Sequence, residues 1–201
     1  TVGNPVRNAI SGVAEPSVRY DVNDSSPLKL LVVGGSLGAQ VLNETLPKAL
    51  ALIDRPFEVR HQCGRNNEAA TQAAYDSEAL SAHQFTVQPF IDDMAAAYNW
   101  ADIVVCRAGA LTVTEIQNVG IAAIFVPLPS AVDDHQTANA RTLTSHKAGI
   151  LLPQSELTPK SLSSELAMLD RRACLEMAEK GHALANRHAC QQVADIIWQA
   201  L

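Results

Sequence analysis

Leu30-Leu31-Val32-Val33-Gly34-Gly35-Ser36-Leu37-Gly38-Ala39 is the stretch whose reading decides the fold. An apolar run of strand length enters a glycine-rich turn and then a segment of helical period, 39–53. Unpaired backbone N–H groups at such a helix start can face an anion, and glycine lets the anion come close. Ser36 adds a hydroxyl, whereas Asn43 and Glu44 belong to the helix body. The spacing is neither G-x-G-x-x-G nor a P-loop with its lysine, so neither a redox dinucleotide nor nucleotide hydrolysis is specified. Glycines that serve only tight strand–helix packing are the competing account.

The same alternation repeats along the chain. Strand-length apolar runs occupy Leu28–Val33, Phe57–Gln62, Gln84–Gln88, 102–106, 121–126 and 149–152. Several are continuous rather than alternating, the pattern of strands buried on both faces of a parallel sheet. Between them 39–53, 67–75, Met94–Trp100, 112–119 and 135–146 each present one apolar face at helical spacing. Strands joined by helices imply right-handed crossovers and an α/β fold, a Rossmann-like doubly wound parallel sheet. After Leu152 the composition predicts two or three closing helices, the first starting at Thr158-Pro159, with a break expected at Gly181. Val193-Ala194-Asp195-Ile196-Ile197-Trp198 gives the last helix an apolar face, expected to pack on its own domain, with docking on a missing partner domain as the alternative. Residues 1–27, with Pro5, Pro16, Pro27 and the polar Asn23-Asp24-Ser25-Ser26, read as a linker, leaving 28–201 as one domain.

Two more clusters follow strands. Arg107-Ala108-Gly109-Ala110-Leu111-Thr112-Val113-Thr114-Glu115 comes after 102–106. Small residues there leave room for a ligand near a helix N-terminus, Arg107 offers charge-assisted donors and Glu115 offers acceptors for ribose hydroxyls. The alternatives are that Glu115 answers the macrodipole in the first turn and that Arg107 joins a surface ion pair. The third cluster runs from Pro127 to Ala140, where Gln136 and Asn139, three apart, can share a face suited to sugar hydroxyls. His135 is a candidate base or a solvated loop histidine, and Asp133 or Asp134 a helix cap. A parallel sheet brings all three clusters to its C-terminal edge. The ligand expected there combines an anion, a polyhydroxyl group and a planar base.

Composition narrows the classes. The 201 residues are 47% apolar and 18% charged, with a net charge of −6. This describes a well-buried globule and disfavours a nucleic-acid binder, which needs clustered Lys and Arg. No run approaches the roughly 18 apolar residues of a membrane-spanning helix. Cys63, Cys106, Cys174 and Cys190 form no C-x-x-C pair, so reduced thiols are the default, with Cys106 a small core residue, and the histidines show no H-x-x-x-H or H-E-x-x-H spacing. The chain begins Thr1-Val2-Gly3 without an initiator Met or signal-peptide features and reads as a piece of a longer protein.

Gly3-Asn4-Pro5-Val6-Arg7, Gly34-Gly35-Ser36-Leu37-Gly38-Ala39, Pro89-Phe90-Ile91-Asp92-Asp93-Met94, the segment Cys106 to Glu115 and Asp134-His135-Gln136-Thr137-Ala138-Asn139-Ala140 occur in that order. Together they resemble the C-terminal half of the MurG family of peptidoglycan N-acetylglucosaminyltransferases, over essentially the whole chain. The resemblance implies a GT-B glycosyltransferase with two Rossmann-like domains, of which this is the donor-binding one. It implies transfer of N-acetylglucosamine from UDP-N-acetylglucosamine to undecaprenyl-pyrophosphoryl-MurNAc-pentapeptide (lipid I), with inversion, forming lipid II at the cytoplasmic face of the bacterial inner membrane. No cofactor, metal or nucleic acid is implied. Carried over position by position, the backbone at Ile91 reads the uracil edge and Glu115 holds ribose hydroxyls. Ser36 and the backbone of Ala110, Leu111 and Thr112, with Val113 and Thr114 in the same segment, face the diphosphate. Gln136 contacts the donor sugar, and Arg7 matches a substrate-binding arginine of the linker. Gly35, Gly38, Arg107, His135 and Asn139 form a second group of candidates. The catalytic base, the lipid I contacts and the membrane surface are expected in the absent N-terminal domain, so this chain alone is expected to bind donor without transferring it. The alternatives are another GT-B sugar-nucleotide enzyme and a non-catalytic nucleotide-sugar-binding module.

Overall fold

The apolar runs pair into one sheet whose central strands are covered on both faces and whose edge strands β3 and β6 are less buried. In the computed structural model, which describes residues 3–129, 134–187 and 189–199, six parallel strands stand in the order β3-β2-β1-β4-β5-β6. They are β1 Leu28–Val33, β2 Phe57–Gln62, β3 Gln84–Gln88, β4 Ile103–Cys106, β5 Ala122–Phe125 and β6 Ile150–Leu151. Every side chain of β4 and β5 is buried. Along β1 the faces alternate: Leu30 and Val32 enter one core layer and Leu31 the other. The order reverses between β1 and β4, which makes their C-terminal ends the switch point of the sheet.

The helices are α1 Asn8–Ser11, α2 Pro16–Arg19, α3 Gln40–Leu50, α4 Glu68–Asp76, α5 Met94–Trp100, α6 Ala110–Val119, α7 His135–Thr144, α8 Pro159–Met168, α9 Arg171–Ala183 and α10 Ala189–Gln199. Residues of α3, α8 and α9 cover the face of Leu30, and residues of α5, α6 and α7 that of Leu31. Thr158 closes a capping box with Ser161, and Pro159 takes the first turn of α8, where its missing N–H costs nothing.

Several element boundaries and two larger features differ from the sequence reading. Helix α3 ends at Leu50 instead of 53, and α6 begins at Ala110, two residues earlier than 112. Gly181 does not break a helix: it is buried inside α9 facing Ala148, and the helix runs on to Ala183. Helix α10 buries Ala189 at its start, but its apolar residues Ile196, Ile197 and Trp198 do not pack on the domain, being 54%, 58% and 81% exposed.

The proline-containing N-terminal segment is tied down. The buried Tyr20 hydroxyl donates to Asp102 O at 2.7 Å and accepts from Ala122 N at 3.1 Å. The Arg19 guanidinium donates to the carbonyls of Ala14, Val119 and Gly120. Arg171, at the start of α9, binds the carbonyls of Asp24, Ser26 and Pro27 and pairs with Asp102 at 3.6 Å. These bonds lock the segment against the sheet and leave Arg7 on the side of α6, where it meets Glu115.

Candidate functional site

Parallel strands deliver their exits to one edge, and helix capping divides that edge. Helices α5, α7, α8 and α9 have N-terminal N–H groups bound by the side chains of Asp93, Asp134, Thr158 and Asp170. Helices α3 and α6 begin at Ala39 and Gly109 with no side-chain cap. These two follow β1 and β4, the neighbours at the switch point, so two uncapped positive helix ends lie side by side. Among the described residues only α3 and α6 combine that position with that lack of a cap.

The glycine-rich turn divides residue by residue between the two accounts open for it. A Cβ on Gly34 would lie 2.7 Å from Ala39 N, and one on Gly38, at φ +78°, would overlap the Cys63 carbonyl oxygen. Those two glycines serve packing. Gly35, at φ +83°, has nothing within 4 Å of its absent Cβ and opens on free space. The N–H groups of Gly34, Gly35 and Gly38 are committed to Gln62 O, Gln62 Oε1 and Gly35 O. The outward-facing part of the turn is therefore Ser36 and Leu37, both exposed.

Arg7, Gly35, Ser36, Gln62, Ile91 and Met94 help line one cleft of about 170 Å³. Residues from the N-terminal segment and from the exits of β1, β2 and β3 are thus brought together. Glu115 is the sixth residue of α6, in its second turn, so first-turn stabilisation is not its role. Its Oε1 lies 3.2 Å from Arg7 Nη2, and its Oε2 accepts from the Tyr98 hydroxyl at 3.1 Å. Burial, and next to it the Glu115 charge, hold the Tyr98 hydroxyl well above its ordinary pKa, so it stays a proton donor to the carboxylate.

Of the remaining α6 positions, Ala110 and Leu111 are exposed and Thr112 half-buried. Val113 points into the core, and Thr114 Oγ1 donates to Ala110 O while accepting from Asn4. Gln136 and Asn139 do share a face, and both grip one residue, Ala108. Gln136 Oε1 accepts from Ala108 N at 3.2 Å and Leu128 N at 2.9 Å, and Asn139 Nδ2 donates to Ala108 O at 3.1 Å. Among the described residues Arg107 makes no ion pair. It reaches across to donate to Val126 O and Pro127 O, both at 3.1 Å, and burial lowers its pKa. Asp134 caps α7 through Thr137 N, and His135 is exposed in that first turn. Asp133 and the side chain of Cys190 lie outside the described residues. Cys63, Cys106 and Cys174 are buried free thiols.

A larger cleft of about 340 Å³ sits at the opposite edge, beside Leu28, Arg55 and Arg171. Its size does not make it the site. It lies at the end of the sheet where β1 begins, away from the two uncapped helix ends; Arg171 there is held by the N-terminal segment and Arg55 Nη2 by the carbonyls of Leu166 and Leu169, while Arg55 Nε is buried without a hydrogen-bond partner. Among the described residues no trio of His, Cys, Asp or Glu could hold a metal ion, and no helix is long and apolar enough to cross a membrane.

Sequence reasoning missed Tyr98, Asn43, Asn67 and Gln62. Their side chains bind groups that a linear pattern does not place nearby: Glu115 for Tyr98, the Cys63 carbonyl for both asparagines, and Gly35 with Pro89 for Gln62.

Comparison with known proteins shows the family of the chain. Residues 29–197 match the glycosyltransferase family 28 C-terminal domain. A protein of Psychrobacter arcticus, described as UDP-N-acetylglucosamine–N-acetylmuramyl-(pentapeptide) pyrophosphoryl-undecaprenol N-acetylglucosamine transferase, is 88% identical over all 201 residues, which cover 56% of that relative. One of the same description from Aeromonas hydrophila is 52% identical over 96% of this chain and 53% of its own length. The crystal structure of Acinetobacter baumannii MurG superposes with a TM-score of 0.90 at 43% identity, over 98% of this chain and 57% of that one. The chain therefore spans just over half the length of the curated relatives it matches.

Proposed function

The chain belongs to the glycosyltransferase family 28 C-terminal domain family, and from that premise we propose that it is the donor-binding half of an inverting N-acetylglucosaminyltransferase. The donor is UDP-N-acetylglucosamine, and the acceptor is lipid I, presented by the remainder of the longer protein at the cytoplasmic face of the inner membrane. The observation that carries the reading is the pair of uncapped helix ends at the β1/β4 switch point, with the Glu115 carboxylate in the second turn of α6.

Each part of the donor has a matching chemistry along this edge. The diphosphate fits Ser36 and the first turns of α3 and α6, where backbone N–H groups and aligned peptide dipoles favour negative charge. Those donors act most strongly when the sugar–phosphate bond breaks and charge collects on the departing UDP. Glu115, aligned by Tyr98, accepts from ribose hydroxyls, for which the ligand displaces or shares the Arg7 contact. The backbone at Ile91 lies on the same cleft as Ser36 and offers one donor and one acceptor to the uracil edge. Gln136, whose Oε1 is held by Ala108 and Leu128, has its NH2 for a sugar hydroxyl. A cleft of about 170 Å³ is smaller than the roughly 300–1,000 Å³ of complete small-molecule sites, as suits one wall of a site shared with another domain.

Calorimetric titration of the folded chain with UDP-N-acetylglucosamine tests the reading. Wild type should bind saturably, and Glu115→Ala should weaken binding about tenfold or more, the loss expected for hydrogen bonds to a charged group. Gln136→Ala should weaken binding of the sugar nucleotide more than that of UDP. A folded wild-type chain that shows no saturable binding would sink the proposal.

A further inference from the structure

The buried carboxamide of Gln62 connects two turns that no single secondary-structure element joins. Gln62 ends β2, is 3% exposed, and pairs through its backbone with Val33 on one side and Gln88 on the other. Its side chain then passes over the sheet edge. Oε1 accepts from Gly35 N at 3.0 Å, while Nε2 donates to Gly35 O at 2.9 Å and to Pro89 O at 3.0 Å. One carboxamide thus holds both polar groups of a single glycine and a carbonyl two residues before Ile91.

From this geometry we infer that Gln62 is a positioning residue for nucleotide binding, setting the glycine-rich turn and the β3 exit turn at a fixed separation. The inference rests on the reading of the cleft as the donor site. Gly35 needs an external hold, because nothing packs where its side chain would be and its φ of +83° is one of several that glycine adopts freely. The Gln62 amide supplies that hold and thereby sets where the next residue, Ser36, presents its N–H and hydroxyl. Through Pro89 O it sets the start of the segment that carries Ile91. A ligand that uses both turns gains from their being placed in advance, whereas one that uses a single turn gains less. Only a side chain with a donor and an acceptor on one planar group can do this. Glutamate keeps the bond from Gly35 N–H but sets a carboxylate oxygen against two carbonyl oxygens, and methionine keeps the volume with neither polar partner.

The test compares UDP with uridine, binding to the 201-residue chain as wild type, Gln62→Met and Gln62→Glu. Affinities come from calorimetry and, for the weaker nucleoside, from NMR shift titration. The expected result is a loss of about tenfold or more for UDP in both variants, with uridine changed by less than about threefold, so that the advantage of UDP over uridine contracts. A merely structural role would lower the unfolding midpoint and weaken both ligands by the same factor. If Gln62→Met does not fold, Gln62→Glu carries the comparison. UDP affinity and the UDP-to-uridine ratio both within twofold of wild type in a folded variant would overturn the inference and leave the donor-site reading standing. Absence of UDP binding by wild type would instead sink the donor-site reading, and this inference with it.

Discussion

His61 is fully buried beneath the candidate site, and its hydrogen bonds define its proton. Asn43 Nδ2 donates to Cys63 O, so Asn43 Oδ1 is left to accept from His61 Nε2, 3.0 Å away. His61 Nδ1, 2.9 Å from the Tyr75 hydroxyl, is then the acceptor in a neutral ring. Burial pushes its pKa down to about 3, against about 6.5 for an exposed imidazole. The unfolded chain therefore binds more protons between those values, and stability, complete above about pH 6.5, falls as pH drops towards 3. The slope from this one group is at most about 1.4 kcal/mol per pH unit. Urea unfolding at a series of pH values should show it in wild type and show it reduced in His61→Gln. The lowered pKa values of His83 and His182, both set first by burial, leave a smaller slope behind. Identical pH slopes in the two proteins would remove His61 as the cause.

At the scale of elements, the β1–turn–α3 unit separates what was legible in the sequence from what was not. Leu28–Val33 read as a strand because its apolar residues are continuous, and the turn was visible as a run of glycines. That Gly38 is there for backbone contact and Gly35 for open space was not visible, because the deciding neighbour, Cys63, lies in the turn that follows another strand, β2. The same holds for Arg107, whose partners Val126 and Pro127 come from the next strand exit, and for Arg19, whose partners Val119 and Gly120 close the C-terminal end of α6. Local periodicity reports which face of an element is buried, whereas side-chain-to-backbone bonds depend on which element stands beside it. The two glycines give opposing expectations. Gly38→Ala adds a steric overlap to an unfavourable φ and should cost about 3 kcal/mol or more in denaturant unfolding. Gly35→Ala meets only the cost of φ +83°, about 1–2 kcal/mol, but its methyl enters the cleft and should weaken UDP binding about tenfold. Equal stability losses at the two positions would contradict this division.

For the molecule as a whole, the distribution of uncovered apolar surface matters most. Helix α10 buries Ala189, while Ile196, Ile197 and Trp198 face outward. Leu37, Phe90 and Leu111, each more than half exposed, stand on three turns that surround the candidate site. Apolar surface placed beside an open cleft and on one terminal helix marks faces that another body covers. In the 201-residue chain Ile197 and Trp198 are more than half exposed, so Trp198→Ala and Ile197→Ser should each change unfolding free energy by no more than about 0.5 kcal/mol. Fluorescence assigned to Trp198, by difference from Trp198→Phe, should be solvent-like and quenched by acrylamide, because Trp100 lies beneath the Arg60 guanidinium and contributes a separate signal. Sedimentation of wild type should show association that rises with concentration and is reduced in the Ile196→Ser, Ile197→Ser double variant. In a longer protein containing the remainder of the family's length, the same substitutions should cost about 1–3 kcal/mol, the range for side chains that have become buried. A loss above about 1 kcal/mol in the 201-residue chain itself, with Trp198 shielded from quencher, would mean that α10 is already packed on its own domain.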